Sequence, residues 1–274
     1  MAVTVPVRPV SVRWPWRYRT RQALWAGVDL LFPPQCAGCG QAGHRFCAAC
    51  ESRVASLTAP VCETCGHPVE QPGRCLLCLS GARPMAPLAG LRSAAFFEGP
   101  LQNAIHSLKY KSDIILADTL AVRLAQVELD SAAADSLVVP VPLGEARLKS
   151  RGYNQAALLA RGFAELRGLR LAPNGARRWR ETSTQVGLSP AERRANVAGA
   201  FEGDPRLVRG QTVILVDDVC TTGATLAACA AAMMAAGAAA VWGLTLSRAP
   251  ITPGWAEQLR REAGRRGRRR DTRL

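Results

Sequence analysis

Residues 213–225 read VILVDDVCTTGAT, an apolar run followed by two adjacent aspartates and a loop of small, hydroxylated residues. The apolar residues 213–216 predict a short strand that is buried on both faces of a parallel sheet. Ligands of open α/β sheets bind at the carboxyl ends of the strands, and this end holds Asp217 and Asp218. The loop offers backbone N–H groups at the start of a helix, which favours a phosphate. The stretch therefore predicts a pocket for a phosphorylated ribose.

Outside this stretch, strands alternate with helices, which predicts a parallel α/β sheet flanked by helices. The expected order is a first strand within 83–99, helices within 101–128 separated by a turn near 110–113, a second strand at 137–141, a basic loop at 147–151 and a helix at 154–166.

Residues 219–247 contain no charged side chain and are longer than a bilayer span. Alanine, glycine and threonine make up much of this segment, however, and Gly237 divides it. We therefore expect an Ala-rich helix near 223–236 and a buried strand near 240–246, with no membrane insertion.

Eight of the ten cysteines form four CxxC pairs. The pairs are Cys36/Cys39, Cys47/Cys50, Cys62/Cys65 and Cys75/Cys78. This spacing lets two thiolates reach one ion from a tight turn, and two such pairs complete a tetrahedral zinc site. A redox motif would occur once rather than four times, and disulfides are rare in chains that are not exported. We expect structural zinc, one ion or two, bound either by sequential ribbons at 36–50 and 62–78 or by interleaved pairs.

Positive charge is concentrated at the two ends of this 274-residue chain, whose net charge is +14. Residues 1–35 hold five Arg and one acid, and residues 251–274 hold eight Arg and three acids. Such tails favour anionic partners such as nucleic acid, although a solvated end without a specific role has the same composition. Because proline and arginine interrupt the N-terminal residues, they do not resemble a secretory signal, and we expect a cytoplasmic protein.

These features divide the chain into four expected parts. They are a basic, flexible arm at 1–20, a double zinc ribbon with a preceding short helix at 21–83, an α/β domain at 84–250 and an Arg-rich tail at 251–274. Eight thiolates and two Zn²⁺ ions would give the zinc module a formal charge of about −3. A structural or protein-docking role therefore suits the module better than phosphate binding.

Six segments, in this order, resemble the ComF family, which joins a double zinc ribbon to a type I phosphoribosyltransferase-like domain. They are PPQCAGCG (33–40), HSLKYKSD (106–113), VPVPL (139–143), RLKSRGYNQAALLA (147–160), TSTQVGLSPAERRANVAGAF (182–201) and LVDDVCTTGATL (215–226). The resemblance excludes both basic tails. It implies a type I phosphoribosyltransferase-like parallel sheet behind a small N-terminal zinc-ribbon module. The implied ligand is 5-phosphoribosyl-1-diphosphate (PRPP), held with Mg²⁺.

The resemblance also implies roles for individual residues. The acidic pair would hold the ribose 2- and 3-hydroxyls, and the loop would hold the 5-phosphate. The expected PRPP-binding residues are Val216, Asp217, Asp218, Thr221, Thr222, Gly223, Ala224, Thr225, Arg147 and Lys149. A diphosphate leaving group needs cations that neutralise its developing charge. The expected catalytic residues are Asp217, Asp218, Lys109 and Arg151.

A lid and a substrate restriction complete the expected site. Residues 178–200, which include Arg193, Arg194 and Asn196, are expected to close over the pocket and exclude water. Thr221 stands where 6-oxopurine transferases have an aspartate that acts as base towards the purine. Hypoxanthine and guanine are therefore poor candidates for the acceptor, which the sequence does not name.

Two functions of different classes are open. The first is an enzyme, a phosphoribosyltransferase of the glycosyltransferase class with an unknown acceptor. The second is a non-catalytic competence protein of DNA uptake that binds single-stranded DNA and uses the pocket for a nucleotide or PRPP. Residues 14–19, WPWRYR, mix aromatic rings with cations, as single-strand binders do. The zinc module would then dock other DNA-uptake proteins.

Overall fold

A five-stranded parallel sheet forms the centre of the computed structural model, which describes residues 12, 14–58, 60–81, 85–129, 135–181 and 189–250. In spatial order its strands are β1 (Gly90–Phe96), β7 (Ala240–Arg248), β6 (Thr212–Cys220), β2 (Leu137–Pro140) and β3 (Arg170–Leu171). All neighbouring strands run parallel. A separate antiparallel pair joins β4 (Ala176–Arg178) to β5 (Phe201–Gly203).

Ten helices accompany these strands in the described part of the chain. They are α1 (Trp16–Leu31), α2 (Ala48–Glu51), α3 (Leu76–Leu79), α4 (Gly99–Tyr110), α5 (Leu116–Ala125), α6 (Glu145–Arg151), α7 (Gln155–Arg167), α8 (Pro190–Val197), α9 (Pro205–Val208) and α10 (Ala224–Ala235).

Alternate residues of β6 enter two separate hydrophobic cores, because successive side chains of a strand point to opposite faces. Ile214 and Val216 pack with apolar residues of α4, α5 and α7. Val213 and Leu215 lie in the other core, which includes residues of α10 and three cysteines of the second ribbon. The predicted α/β sheet is thus confirmed, with a strand buried on both faces at its centre.

The charge-free segment 219–247 is a helix followed by a strand, as predicted. It includes all of α10 and all but the last residue of β7, and β7 pairs with both β1 and β6. Among the residues that the structure describes, no helix has the length and hydropathy needed to cross a membrane.

Two local predictions need correction. Strand β6 does not end before the aspartates, because it stays paired with β7 as far as Cys220. The basic residues 147–151 are not in a loop, because α6 runs from Glu145 to Arg151. Gly152 ends that helix with a left-handed φ of 82°, a conformation that glycine adopts without strain. Gly152 therefore marks the end of a helix.

Residues 16–20 of the expected arm are helical, because α1 begins at Trp16. Tyr18 is buried, and its hydroxyl donates to the Asp118 carbonyl at 2.9 Å. Arg21 forms ion pairs with Asp118 at 2.6 Å and with Glu165 at 2.8 Å, which tie α1 to α5 and α7. Residues 1–11 and 13 of the expected arm, and the tail at 251–274, lie outside the described residues.

Candidate functional site

The eight CxxC cysteines form two separate four-cysteine clusters. Cys36, Cys39, Cys47 and Cys50 make the first cluster, and Cys62, Cys65, Cys75 and Cys78 make the second, with all sulfurs of a cluster within 4.8 Å of one another. The sequential pairing is therefore the one that the chain adopts, and the interleaved alternative is wrong. His44 and His67 belong to neither cluster.

The sulfur separations match a tetrahedral zinc site. A Zn–S bond of about 2.3 Å places the sulfurs of a tetrahedron about 3.8 Å apart. The Sγ–Sγ distances are 3.6 Å for Cys36 and Cys50, 3.8 Å for Cys39 and Cys47, and 3.7 Å for Cys65 and Cys75. A disulfide would hold its sulfurs near 2.05 Å, and all ten cysteines are free. Both clusters thus fit structural zinc.

Backbone N–H groups point at the thiolates, as they do around structural zinc. The Cys47 N–H donates to the Cys36 sulfur at 3.3 Å, and the Cys75 N–H donates to the Cys62 sulfur at 3.3 Å. At the surface, the Arg53 guanidinium donates to the Cys50 sulfur at 3.5 Å. These donors stabilise the thiolate forms that bind the metal.

A cavity of about 560 Å³ opens at the carboxyl ends of β2 and β6. It brings together most of the residues predicted to bind PRPP or to take part in catalysis. These are Lys109, Arg147, Arg151, Asp217, Asp218, Thr221, Gly223, Ala224 and Thr225. Its volume is in the range of small-molecule sites, and it combines carboxylates, hydroxyls and cations within one cavity.

Asp217 and Asp218 differ in their surroundings. The Asp218 carboxylate is buried and forms an ion pair with Lys109 at 2.7 Å. Asp217 lines the cavity, and its carboxylate accepts from the Asp218 N–H at 2.8 Å. Burial, helped by the Asp218 charge and opposed by Lys109, raises the pKa of Asp217 to about 8. Lys109 thus offsets the Asp218 charge, whereas ionisation of the neighbouring Asp217 is disfavoured.

The loop after β6 has a shape suited to a phosphate. Gly223 has a φ of 84° and immediately precedes α10, whose first N–H groups lack partners within the helix. Thr222 is buried, and its hydroxyl accepts from the Ala224 N–H at 3.2 Å, which braces the loop from inside. Thr221 and Thr225 line the cavity beside this helix start.

Helix α6 supplies cations on one face. Arg147 and Arg151 are four residues apart, so they lie on the same side of the helix, and both line the cavity. Arg151 also lies over the Tyr110 ring, 5.6 Å from its centroid. Lys149 differs from the expectation, because its largely exposed side chain pairs with Glu145 at 2.7 Å and is not part of the lining.

Two further predicted PRPP-binding residues do not line the cavity. Val216 is fully buried in the core beneath it, and Thr222 faces into the loop. Of the expected lid, residues 182–188 lie outside the described residues, whereas α8 brings Arg193 to the cavity. Arg178 of β4 also lines it, and its guanidinium lies over the Phe201 ring.

Several lining residues were missed from the sequence. Phe97 and Tyr110 add aromatic surface, and Gln155 adds an amide. Tyr110 adjoins Lys109 in the HSLKYKSD segment, which was a usable signal. Gln155 lies in the RLKSRGYNQAALLA segment, which was a signal of the same kind. Phe97 offered none, because only the folded sheet brings it to the cavity.

Two family models match the chain. A double zinc ribbon domain matches residues 27–79, and a phosphoribosyl transferase domain matches residues 127–251. The DNA utilization protein YhgH of Salmonella typhimurium is 33% identical over 72% of this chain and 87% of its own. Competence protein F of Haemophilus influenzae is 30% identical over 68% of this chain and 82% of its own. Competence protein ComFC of Bacillus subtilis is 25% identical over 84% of this chain and 91% of its own.

Proposed function

The chain belongs to the ComF family, and from that membership we propose that it binds PRPP with Mg²⁺ and transfers the 5-phosphoribosyl group to an acceptor. The observation behind this proposal is the acidic pair at the end of β6, which shares one cavity with the loop at the start of α10. Carboxylates suit a ribose diol, and a helix start suits its phosphate.

In this proposal the acidic pair and the loop bind opposite ends of the ribose phosphate. Asp217 and Asp218 accept hydrogen bonds from the ribose hydroxyls. The first N–H groups of α10, with the hydroxyls of Thr221 and Thr225, bind the 5-phosphate. Fixing both ends of the sugar orients the anomeric carbon, which lowers the entropic part of the barrier.

The cations of the cavity serve the diphosphate leaving group. Lys109, Arg147 and Arg151 reach the cavity from two elements, α4 and α6. They can therefore contact a bound diphosphate from two sides. Cations placed in advance stabilise the charge that develops as the bond to the leaving group breaks.

The donor set of the cavity also suits Mg²⁺, because its carboxylates are hard oxygen ligands. Asp217 and Asp218 would hold the ion together with oxygens of the ligand, and the bound ion supplies positive charge at the diphosphate. The ion pair with Lys109 holds the Asp218 carboxylate in place. Arg193 and α8 would close the cavity against water.

The test is isothermal titration calorimetry of Mg–PRPP with the full chain. We expect binding by the native protein and no detectable binding by the Asp217→Asn/Asp218→Asn variant. Undiminished binding by that variant would end the proposal. Arg147→Gln should weaken binding, whereas Lys111→Gln is the matched control, because Lys111 is exposed and does not line the cavity.

Transfer itself is a separate question from binding. A screen of nucleobases and amines for pyrophosphate release tests it, with hypoxanthine and guanine expected to be inactive because Thr221 replaces the acid that acts as base towards them. Pyrophosphate release that requires an added acceptor would support the enzyme, and binding without release from any acceptor would favour a sensor.

A second function, the handling of single-stranded DNA in the cytoplasm, is favoured by the names of the relatives and by exposed aromatic residues. Trp14 and Trp16 are 55% and 69% exposed, and Arg17 lies over the Trp16 ring. Tyr18 does not belong to this surface, because it is buried. Exposed Leu76 and Leu79 on the second ribbon offer a surface for a protein partner in DNA uptake.

A salt-dependence experiment tests DNA binding. The test compares the full chain with a truncated chain that lacks residues 1–11 and 255–274. The truncated chain keeps α1, because Arg21 of this helix anchors it to the fold. We expect weaker binding of an oligothymidylate and a flatter dependence of affinity on salt, because fewer counterions are released. Trp14→Ala/Trp16→Ala in the full chain should weaken binding without flattening that slope. An unchanged slope after truncation would exclude a role for the tails.

A further inference from the structure

Arg248, the last residue of β7, is a fully buried cation without an acidic partner in the described part of the chain. Its Nη1 donates to the Cys65 carbonyl at 2.5 Å. Its Nε and Nη2 have no hydrogen-bond partner among the described residues. An uncompensated buried charge is strongly unfavourable, so a negative group is expected close by.

The second cysteine cluster is the nearby group that can supply this charge. Four thiolates around one Zn²⁺ have a formal charge of −2. The Cys65 carbonyl that accepts from Arg248 belongs to a cluster residue, and covalent geometry limits the distance from Nη1 to that residue's sulfur to about 7 Å. A guanidinium therefore lies beside the site of a dianion, which compensates the buried cation, while the cation offsets part of the dianion's charge.

The two clusters differ in how their charge is compensated. Arg53 at the first cluster and Arg74, which donates to the Cys78 carbonyl at the second, are both exposed and hydrated. At the second cluster water does not reach Arg248. Loss of the metal charge there would leave a buried cation with little to offset it, whereas Arg53 could turn to solvent.

The carboxyl end of β7 also donates hydrogen bonds to the backbone of β6 residues that line the cavity. Arg248 is paired in register with Cys220, and the next residue, Ala249, donates its N–H to the Cys220 carbonyl at 2.9 Å. One residue earlier, the Ser247 hydroxyl donates to the Asp218 carbonyl at 3.3 Å. A shift of Arg248 would therefore be transmitted to the acidic pair and to the start of the loop.

We propose that Arg248 is the counter-ion of the second zinc cluster and a positioning residue that couples metal binding there to the β6 end of the cavity. The coupling runs from the metal charge to the guanidinium, and from β7 to the backbone of Asp218 and Cys220. It requires neither PRPP binding nor transfer, so its test is independent of both.

The first experiment measures zinc release from the zinc-loaded full chain to a chromogenic chelator, with native mass spectrometry counting the ions retained. Arg248→Gln keeps an N–H donor but loses the charge, and one of the two ions should leave about 10–100-fold faster, as for other partners of metal ligands. Arg248→Lys keeps the charge and should release zinc at nearly the native rate. Arg92→Gln is the matched control, because Arg92 donates to the Glu63 carbonyl near the same cluster but is partly exposed.

These variants separate charge from shape. Equal release by Arg248→Gln and the native chain would overturn the proposal. Release from Arg248→Lys as fast as from Arg248→Gln would overturn it too, because shape and not charge would then decide zinc retention.

The second experiment uses the native sequence and so does not depend on a variant that folds. Hydrogen exchange of the amides at 217–221 is followed by mass spectrometry before and after zinc removal. We expect faster exchange there after removal than in β2, which lies on the far side of β6. Exchange at 217–221 that is unchanged by zinc removal would overturn the coupling.

Discussion

Two adjacent carboxyl groups share a buried strand end, and their protonation follows from their neighbours. Lys109 compensates Asp218, whereas burial and the Asp218 charge raise the pKa of Asp217 to about 8 from an ordinary value of 3.8. Between pH 3.8 and about 8 the folded chain therefore keeps the proton of Asp217, whereas the unfolded chain has released it. The stability associated with that proton is complete below pH 3.8 and is lost as the pH rises to about 8.

Asp217→Asn removes this titration. Raising the pH from about 6 to about 8 should destabilise the native chain through this group but not the variant. The free energy of unfolding of the variant, relative to that of the native chain, should therefore rise by about 1–3 kcal/mol over this interval, since each pH unit is worth about 1.4 kcal/mol. Urea denaturation at the two pH values measures the gain. A difference between variant and native chain that does not change with pH would contradict the raised pKa of Asp217.

Lys109 has a structural role besides its proposed catalytic one. Lys109→Met would leave the buried Asp218 without an ion pair, so we expect a loss of about 2–4 kcal/mol in the free energy of unfolding. Lys111→Met, two residues away on an exposed side chain, should leave stability unchanged in the same urea titration. Adding Asp218→Asn to Lys109→Met should recover part of the loss. A double variant as unstable as Lys109→Met would show that charge is not the cause.

Helix α1 shows why an element can differ from its expected form. Its first residues, 16–20, were expected to belong to a basic, flexible arm. Tertiary ion pairs hold the helix instead, since Arg21 reaches both Asp118 and Glu165. These pairs join residues 97 and 144 positions apart, so local sequence gives no sign of them.

Arg21→Met should therefore loosen α1. Asp118 is almost fully buried. Among the described residues it would retain one cation, Arg161 at 3.7 Å, and a long hydrogen bond from the Gln22 amide at 3.5 Å, so we expect a loss of about 2–4 kcal/mol in the free energy of unfolding. Arg17→Met, on an exposed position of the same helix, is the matched control. Thermal denaturation compares the two, and limited proteolysis within 16–31 locates the change. Equal stability of both variants would show that α1 is held by apolar contacts alone.

At the scale of the whole molecule, the second ribbon covers an edge of the sheet. The Leu91 N–H of the edge strand β1 donates to the Thr64 carbonyl at 3.0 Å. A β-carbon on Gly66 would lie 2.3 Å from the Leu91 carbonyl oxygen. The ribbon and the sheet thus meet backbone to backbone, which caps an edge that would otherwise be open to pairing with another chain.

Gly66→Ala should separate ribbon and sheet. Gly66 and Gly73 have positive φ values of 66° and 132°, so either substitution strains the backbone by about 1–2 kcal/mol. Only Gly66 adds a clash with the sheet, because nothing lies within 4 Å of a β-carbon on Gly73. Gly66→Ala should therefore lower the free energy of unfolding clearly more than Gly73→Ala, and it should expose β1 to hydrogen exchange. Equal effects of both would contradict close docking.

The sequence by itself determined the fold class, the four CxxC pairs and the order of the pocket motif. These depend on local spacing, such as the apolar run before Asp217 and the separation of Cys36 from Cys39, and local spacing can be read along the chain. Charge-free residues 219–247 were likewise resolved into a helix and a strand by their composition and Gly237.

Only the tertiary structure decided which cysteines share an ion, where α1 begins, and which basic residues reach the cavity. Arg147 and Lys149 look equivalent in sequence, but α6 turns one towards the cavity and the other towards Glu145 and solvent. Arg248 shows the same limit, since its buried contact with Cys65 joins residues 183 positions apart. Contacts across such distances form because strands pair and helices pack, and no local pattern in the chain names the distant partner.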